Sequence, residues 1–296
     1  MYLFDFFKNL FKKNNVGVII WMVLNLLLIT WLFSGGFAEW QGALLGLGIY
    51  LFSMLIALSP IGEWILRLQN GCKKITDPQV LQRIEPLFNE LYQKAKALNP
   101  ELNDGIKIFM SNNDEPNAFA TGRKTLCITR GLLKYSDEHI KGVLAHEFGH
   151  LAHKDTDTIL VVAVGNMIVS AIFVVIRFVA NLFFWIATFI SAINSDNIGG
   201  VIGSIFSAIA RVVADFILVL LMRAWTQLGV WLCMHSSRKN EYRADNYAKL
   251  CGYSEALCEV LESFGTERSK NGLFAALSSS HPENIDRINA LRESAE

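Results

Sequence analysis

Long runs of apolar residues fall into two blocks of this chain, at roughly residues 16–60 and 158–234. The first block contains two nearly unbroken runs, residues 16–33 and 42–58, with a short glycine-containing break between them. Each run approaches the roughly 20 residues that a helix needs to cross a bilayer. The pattern therefore predicts an N-terminal transmembrane hairpin within residues 1–60.

Basic residues lie on both sides of this hairpin, whereas Glu39 is the only charged residue in its outer turn. The positive-inside rule then predicts that both flanks lie in the cytoplasm. A cleavable signal peptide is an alternative, since Lys12-Lys13, an apolar run and Gly36-Phe37-Ala38 imitate one. The run is longer than a signal peptide requires and a second run follows at once, which favours a retained anchor.

The second block is longer and less uniform. Its two arms, residues 158–193 and 201–234, are separated by a polar, glycine-containing turn and interrupted by Arg177, Arg211 and Asp215. We expect a second hydrophobic hairpin, residues 158–222, that spans the membrane with these charges paired or at the interface. The alternative is that the arms are partly buried helices of a catalytic domain.

Two soluble segments, residues 61–157 and 223–296, flank the second hairpin and should lie on the same side of the membrane. Apolar periodicity predicts a helix over residues 81–98, with Pro86 near its true start. Short β-type runs follow at residues 106–110, 117–121 and 125–129. They predict a small antiparallel sheet, so the fold class is mainly α with multi-pass membrane helices.

Composition agrees with a membrane protein. The 296 residues are 52% hydrophobic and 18% charged, against about 25% charged in a soluble chain. The formal net charge is zero, so nothing indicates a nucleic-acid partner. The five cysteines form no CxxC pair, which predicts reduced thiols rather than a disulfide framework.

The motif His146-Glu147-x-x-His150 lies in a stretch with helical periodicity, for which Ser136 is a plausible N-cap. Positions four apart share one helix face, so His146 and His150 can address a single metal ion. Glu147 can then act as general base on a metal-bound water, the arrangement used for zinc-assisted amide hydrolysis. The alternative is a pair of surface histidines on an amphipathic helix.

A catalytic zinc usually has three protein ligands. Glu241 and Asp245 are also four residues apart and share a predicted helix face. We assign Glu241 as the third ligand and Asp245 as the carboxylate that orients a ligand imidazole. By spacing alone, a solvated charged helix face explains this pair equally well.

Over nearly its whole length the chain resembles the membrane-integral zinc endopeptidases of the HtpX type, relatives of the CAAX prenyl endopeptidases. The shared features are both hairpins, residues 117–122, the His146-Glu147-x-x-His150 helix and Glu241-x-x-Ala244-Asp245. The resemblance implies a zincin-like metallopeptidase domain, one Zn²⁺ per chain, and the assigned roles of Glu241 and Asp245.

Two further features carry implied roles. Ser280-His281-Pro282 and Arg287 resemble a family pattern in which a histidine and an arginine lie near the oxyanion. The resemblance therefore implies that His281 and Arg287 stabilise the tetrahedral oxyanion formed during hydrolysis. For His281 the alternative is a residue at the start of a helix, just before Pro282. Residues Asn117, Ala118, Phe119 and Ala120 look like an edge strand beside the site, to which an extended substrate can add; an ordinary strand is the alternative.

These observations predict a zinc endopeptidase in a bacterial inner membrane, with its active site on the cytoplasmic side. The family resemblance implies that its substrates are polypeptides, above all misfolded or damaged membrane proteins. A prenyl-peptide endopeptidase is one alternative, and a non-catalytic membrane scaffold or chaperone with a structural metal is another. Glu147 argues against the scaffold, because a structural site needs no base beside its ligands.

Overall fold

The computed structural model describes residues 2–12, 15–193, 198–263 and 284–293. The chain divides into two compact units. One comprises Met1–Gly165 and Val230–Glu296, and the other comprises Asn166–Gly229. The domain boundaries drawn from the sequence stay predictions.

Four helices begin the first unit: α1 (Tyr2–Lys12), α2 (Val16–Phe33), α3 (Trp40–Ala57) and α4 (Pro60–Gln69). The first predicted apolar run forms α2 and the second forms α3. The two helices pack closely, because a Cβ on Gly46 of α3 would lie 2.8 Å from the Cα of Thr30 in α2. Ser59 caps α4 by accepting a hydrogen bond from the Ile61 amide.

In the described part of the chain, three strands form one mixed sheet in the order β1-β3-β2. They are β1 (Lys107–Ser111), β2 (Ala118–Thr121) and β3 (Thr125–Thr129). The strands β2 and β3 form an antiparallel hairpin, but β1 pairs with β3 in parallel.

The prediction of an antiparallel sheet is therefore wrong for β1. The polar segment between β1 and β2 is too long for a tight hairpin turn and passes the end of β3 instead. It is fixed there by hydrogen bonds from the Gly131 amide to the Asn113 carbonyl and from the Thr129 hydroxyl to the Glu115 carbonyl. This route leaves β3 in the centre, with every residue buried, and β2 at an edge.

The main core of the unit lies between the sheet and helices α5 (Pro78–Leu98) and α6 (Asp137–His153). The helix α5 begins at Pro78 and is capped by Asp77, so Pro86 lies inside it and not near its start. The stronger signal was the Asp77-Pro78 pair, since proline suits the first helical position. The 3₁₀ helix Arg130–Lys134 leads from β3 toward α6.

After α6 the chain continues as α7 (Thr156–Leu160) and a π-helical turn, Val161–Gly165, whose residues are all buried in the first unit. The first residues of the predicted second hairpin are therefore part of the first unit, and the bounds of that hairpin stay a prediction. The helix α8 (Asn166–Ile193) and the 53-residue helix α9 (Ile198–Leu250) follow.

In the second unit, the charges that interrupt the apolar arms pair with one another. The Nε of Arg177 lies 3.1 Å from Oδ1 of Asp215, and the Asn181 amide donates to Oδ2 of the same carboxylate at 2.9 Å. Arg211 donates to the Asn181 side chain and lies over the ring of Phe184. These contacts lower the cost of placing charge at membrane depth.

Within the described residues, three helical segments are long and apolar enough to cross a membrane: Val16–Phe33, Trp40–Ala57 and Ile202–Gly229. A shorter apolar segment, Arg177–Ile190, lies in α8. Two more helices, α10 (Ser254–Ser263) and α11 (Asn284–Glu293), complete the described chain. The predicted fold class is confirmed apart from the sheet: a mainly helical protein with apolar membrane helices and a small sheet.

Candidate metal centre

The helix α6 presents opposite faces to the core and to the site. Ser136 caps its N-terminus by accepting a hydrogen bond from the His139 amide. The fully buried Phe148 packs against Phe88 of α5, with ring centroids 5.6 Å apart. This packing fixes the rotation of α6 and turns His146 and His150 away from the aromatic cluster.

The last turns of α9 approach α6 very closely at a glycine. A Cβ on Gly149 would lie 2.8 Å from the Cα of Ala244. The residues on either side of Ala244 along this face, Glu241 and Asp245, are both buried. The glycine therefore lets α9 bring two carboxylates against the histidine pair.

Three side chains converge on one point. The two Nε2 atoms of His146 and His150 lie 3.2 Å apart. Oxygen Oε2 of Glu241 lies 3.4 Å from His146 Nε2, and Oε1 lies 3.5 Å from His150 Nε2. The three residues each offer one ligand atom within 4.8 Å of the others, a group able to hold a metal ion.

Behind His146, a buried ion pair holds the ring in place. Nδ1 of His146 lies 2.8 Å from Oδ1 of Asp245. Arg287 of α11 donates to the same carboxylate twice, through Nε at 2.8 Å and Nη2 at 2.6 Å. The nitrogen Nη1 of Arg287 lies 3.8 Å from Oε2 of Glu241. Asp245 thus orients one imidazole and leaves its Nε2 directed at the convergence point.

An equivalent carboxylate behind His150 was missed by the sequence analysis. Oδ2 of Asp155 lies 3.5 Å from Nδ1 of His150, and Oδ1 accepts a hydrogen bond from Nη2 of Arg243 at 3.1 Å. Asp155 follows Lys154, which ends α6 in a left-handed conformation with φ of 56°. The available signal was a carboxylate five residues after the second histidine, just past the helix end.

The electrostatic environment of the histidines favours positive charge. Burial alone would lower the pKa of His146, but the carboxylates of Asp245 and Glu241 outweigh it and raise that pKa to about 10. Burial opposes protonation of His150 as well, yet Glu241 and Asp155 raise its pKa. Two imidazoles and a carboxylate in such a field are a donor set that suits a divalent cation.

Glu147 lies next to this group and is tied to the sheet. Its Oε2 accepts a hydrogen bond of 2.7 Å from the amide of Ala120 in β2. The amide of Ala120 therefore points away from β3, and backbone alternation puts the amide and carbonyl of Ala118 on the same outer edge. Phe119 pairs with Cys127 on the inner side, and the Asn117 amide donates to the Thr129 hydroxyl.

The predicted site residues that the structure describes thus lie together. His146, His150 and Glu241 converge, Glu147 and β2 lie beside them, and Asp245 contacts His146. Arg287 lies behind His146 with its described hydrogen bonds directed to Asp245 and His146. His281 lies outside the described residues, so its role stays a prediction.

Comparison with known proteins identifies the family. Peptidase family M48 matches residues 78–295, a segment that contains every candidate site residue. The chain belongs to this family. Among M48 relatives, the "Protease HtpX homolog" of Aquifex aeolicus is 31% identical over 239 residues, covering 72% of this chain and 71% of the relative. The "Protease HtpX" of Pseudomonas putida is 31% identical over 262 residues, covering 78% of this chain and 79% of that relative.

A solved structure, that of S. mikatae Ste24p, is 21% identical to this M48 chain and covers 98% of it and 65% of the solved chain, with a TM-score of 0.41. The assignment rests on the sequence matches, which confirm the resemblance to HtpX-type proteases. With its apolar helices and metal-binding side chains, this M48 protein is a membrane metalloprotease that acts on polypeptides.

Proposed function

We propose that this protein is a zinc endopeptidase that cuts misfolded or damaged membrane proteins at the surface of a bacterial inner membrane. The observation that carries the proposal is the convergence of His146 Nε2, His150 Nε2 and the Glu241 carboxylate beside Glu147. Metallopeptidase chemistry needs this set: three ligands, an open coordination position and a base.

The spacing of the three donors supports zinc. Four-coordinate zinc with bonds of about 2.0–2.1 Å to nitrogen and oxygen keeps its ligand atoms about 3.3–3.5 Å apart. The donor distances here are 3.2 Å between the nitrogens and 3.4 and 3.5 Å from nitrogen to oxygen. Zinc prefers such a mixed imidazole and carboxylate set with one position left for water.

Glu147 is the proposed general base. Zinc, when bound, polarises the scissile carbonyl and lowers the pKa of the attacking water. Glu147 takes a proton from that water and later delivers it to the leaving amine. Its Oε2 accepts a hydrogen bond of 2.7 Å from the Ala120 amide, so Oε1 is the oxygen that takes up and releases the proton.

The outer edge of β2 is the proposed binding surface for the substrate backbone. An extended peptide can add to the amide and carbonyl of Ala118 and to the carbonyl of Ala120 on the side away from β3, while the Ala120 amide stays bonded to Glu147. Main-chain hydrogen bonds do not depend on side chains, so this mode gives affinity with weak sequence preference. Asn117 and Phe119 belong to the same strand segment and position it against β3.

Stabilisation of the oxyanion by Arg287 and His281 stays a prediction. Two nitrogens of Arg287 bind Asp245, and only Nη1 approaches the metal side, at 3.8 Å from Glu241. We therefore propose Nη1 as the atom that contributes positive potential at the oxyanion. Its test is Arg287→Lys, which keeps the charge and loses the paired contact with Asp245.

The membrane topology follows from the site. Residues of α6 and the last turns of α9 form one cluster, so the chain between them crosses the bilayer an even number of times. Because Ile202–Gly229 is long and apolar enough to cross, we propose that α8 supplies the return crossing. The basic flanks of the first hairpin support a cytoplasmic active site. A reporter inserted at Asn197 should then behave as periplasmic, and cytoplasmic behaviour would contradict this topology.

The decisive experiment compares the native chain with Glu147→Gln in cleavage of an unfolded model protein, with bound metal quantified in the same samples. Glutamine can still accept from the Ala120 amide, so the variant should keep one zinc per chain. Loss of a general base should lower turnover by about 10²–10⁴-fold. Glu138→Gln, an exposed change in the first turn of the same helix, is the matched control and should retain activity.

The same experiment separates the alternatives. Zinc bound in both chains with no cleavage of any unfolded substrate, including a prenylated peptide, would favour a scaffold with a structural metal. Cleavage of the prenylated peptide alone would favour the narrower endopeptidase. Full activity in Glu147→Gln would refute the proposed base.

A further inference from the structure

The N-terminal helix α1 carries an apolar face that no described part of the protein covers. Phe4 is 77% exposed and Phe11 is 71% exposed, and the half-buried Leu3 and Phe7 lie on the same side of the helix. The opposite face packs into the protein through Phe6 and other buried side chains. Exposed phenylalanines spaced at helical intervals beside a buried face indicate a second apolar contact.

The helix α4 also has one buried face and one exposed apolar face. Ile61, Trp64 and Leu68 share its outer face and are all more than half exposed. Its inner face contains the buried Glu63 and Leu66. Two amphipathic helices of the same unit thus each present an apolar face outward.

We propose that the outer faces of α1 and α4 lie in the headgroup region of the bilayer and dock the catalytic unit on the membrane surface. The occupant is the bilayer, because both faces continue directly into the membrane hairpin: α1 ends at Lys12 and α2 begins at Val16, while α3 ends at Ala57 and α4 begins at Pro60. Both helices therefore lie at the same end of the hairpin.

Charge supports the same occupant. Lys8 is exposed beside the phenylalanines of α1, and Lys73 and Lys74 are exposed shortly after α4. Basic side chains beside an apolar helix face suit anionic lipid headgroups, whose attraction adds to the burial of the aromatic rings.

The docked helices are tied to the substrate-binding strand. Glu63 of α4 accepts a hydrogen bond of 2.6 Å from the Arg123 amide, in the turn between β2 and β3. The Arg123 side chain pairs with Asp5 of α1 at 2.8 Å and with the buried Asp157 at 2.7 Å, and it lies over the ring of Tyr2.

The same turn packs directly against Glu63 of α4. Gly122 has a φ of +59°, and a Cβ there would meet the Glu63 side chain at 2.0 Å. The Thr156 hydroxyl donates to the Gly122 carbonyl. Membrane docking of α1 and α4 therefore fixes the β2–β3 turn and, through β2, the edge at Ala120 that faces Glu147. This consequence for substrates rests on the proposed function, whereas the docking itself does not.

The test measures where the two faces lie in the full-length chain. Spin labels are placed by Phe4→Cys and Trp64→Cys, one at a time, in single-copy nanodiscs of equal phosphatidylglycerol and phosphatidylcholine. Signal from native cysteines is subtracted using the parent chain. Accessibility to oxygen and to an aqueous nickel relaxant should put both labels about 5–10 Å below the lipid phosphates. The matched control is Leu98→Cys, an exposed apolar position on α5, which should remain fully accessible to the nickel relaxant.

Labels at Phe4 and Trp64 that are as accessible to nickel as the label at Leu98 would overturn the proposal. Shielding in crowded liposomes but not in single-copy nanodiscs would also overturn it, in favour of contact between two copies of the chain. Neither result depends on proteolysis, so failure here is distinguishable from failure of the proposed enzyme.

A second readout tests the tie to the site. The double change Phe4→Ser and Phe11→Ser removes apolar contact from the outer face of α1 and leaves Asp5 in place. Hydrogen exchange of residues 118–125 in nanodiscs should become several-fold faster than in the native chain, and Leu98→Ser should leave it unchanged. Equal exchange in the two chains would overturn the coupling.

Discussion

Replacing Asp245 with asparagine perturbs two functions of one buried carboxylate. Asp245 holds Nδ1 of His146 at 2.8 Å and binds Arg287 through two hydrogen bonds. Asparagine keeps the shape of the side chain and removes its charge. The imidazole loses a charged partner, and the guanidinium of Arg287, only 4% exposed, loses its closest counter-charge.

The expected size of each effect follows from these contacts. Loss of a carboxylate behind a ligand imidazole typically weakens metal binding 10–100-fold, or about 1.4–2.7 kcal/mol. Breaking one side of a buried ion pair typically costs about 3–5 kcal/mol. Glu241 lies 3.8 Å from Arg287 and offsets part of this cost, so we expect a loss of about 3 kcal/mol in the free energy of unfolding.

Asp155→Asn is the matched control, because Asp155 has the same position behind His150. Its basic partner Arg243 is 37% exposed, so water can solvate the guanidinium once the carboxylate charge is gone. We expect the same 10–100-fold loss of metal affinity but a loss of only about 1 kcal/mol in the free energy of unfolding.

The assay has two parts on detergent-purified chains. Competition with a chromophoric chelator gives the zinc affinity, and denaturant unfolding of the metal-free chain gives the stability. A third chain, Asp245→Asn with Arg287→Met, should regain much of the lost stability and none of the lost affinity. Equal stability of the Asp245→Asn and Asp155→Asn chains would refute the reasoning from burial, and unchanged affinity in both would refute the role of these carboxylates.

Three further outcomes are expected. Burial raises the pKa of Glu63 despite hydrogen bonds from Arg123 and Thr125. The native chain should therefore lose stability relative to Glu63→Gln as the pH rises from about 4.5 through the pKa of Glu63 in the folded state. A difference between their unfolding free energies that does not change with pH would contradict this. Gly149→Ala should destabilise the fold by about 1–3 kcal/mol and weaken zinc binding, because the added methyl forces α9 away from α6. The control Gly203→Ala should not destabilise the fold, because nothing lies within 4 Å of the added methyl. Equal effects of the two changes would argue against the close approach of α9 to α6 at Gly149. Removal of the metal with a chelator should abolish proteolysis, and one equivalent of zinc should restore it; activity that survives complete metal removal would refute the proposed chemistry.

Much of the site was predictable because its spacing is local. An α-helix repeats every 3.6 residues, so two residues four apart necessarily share a face wherever the helix lies. This is why the sequence alone indicated that His146 and His150 address one ion and that Glu241 and Asp245 belong together. The N-terminal membrane helices were predictable for a similar reason, since apolar length alone decides whether a helix can cross a bilayer.

Local sequence patterns did not reveal which distant segments meet; the family resemblance supplied that information for Glu241, Asp245 and Arg287 only. Strand periodicity reports which face of a strand is buried and not which strand lies beside it, so β1 was predicted to be antiparallel. Asp155 was missed because its approach to His150 depends on the left-handed residue Lys154 at the helix end. The inner faces of α1 and α4 meet the β2–β3 turn through Arg123, a contact for which no local pattern exists.

Local sequence patterns therefore sufficed to identify the groups on which the proposed chemistry rests: two imidazoles, a neighbouring glutamate and a carboxylate pair on helices, in a chain with helices apolar enough to cross a membrane. How these parts combine depends on tertiary packing. Packing at Gly149 brings Glu241, which lies 91 positions after His150 along the chain, to within 3.5 Å of that histidine. The placement of α11 likewise sets Arg287 behind Asp245. Helical spacing is fixed by backbone geometry within a few residues, whereas these contacts depend on the packing of segments that are remote in sequence.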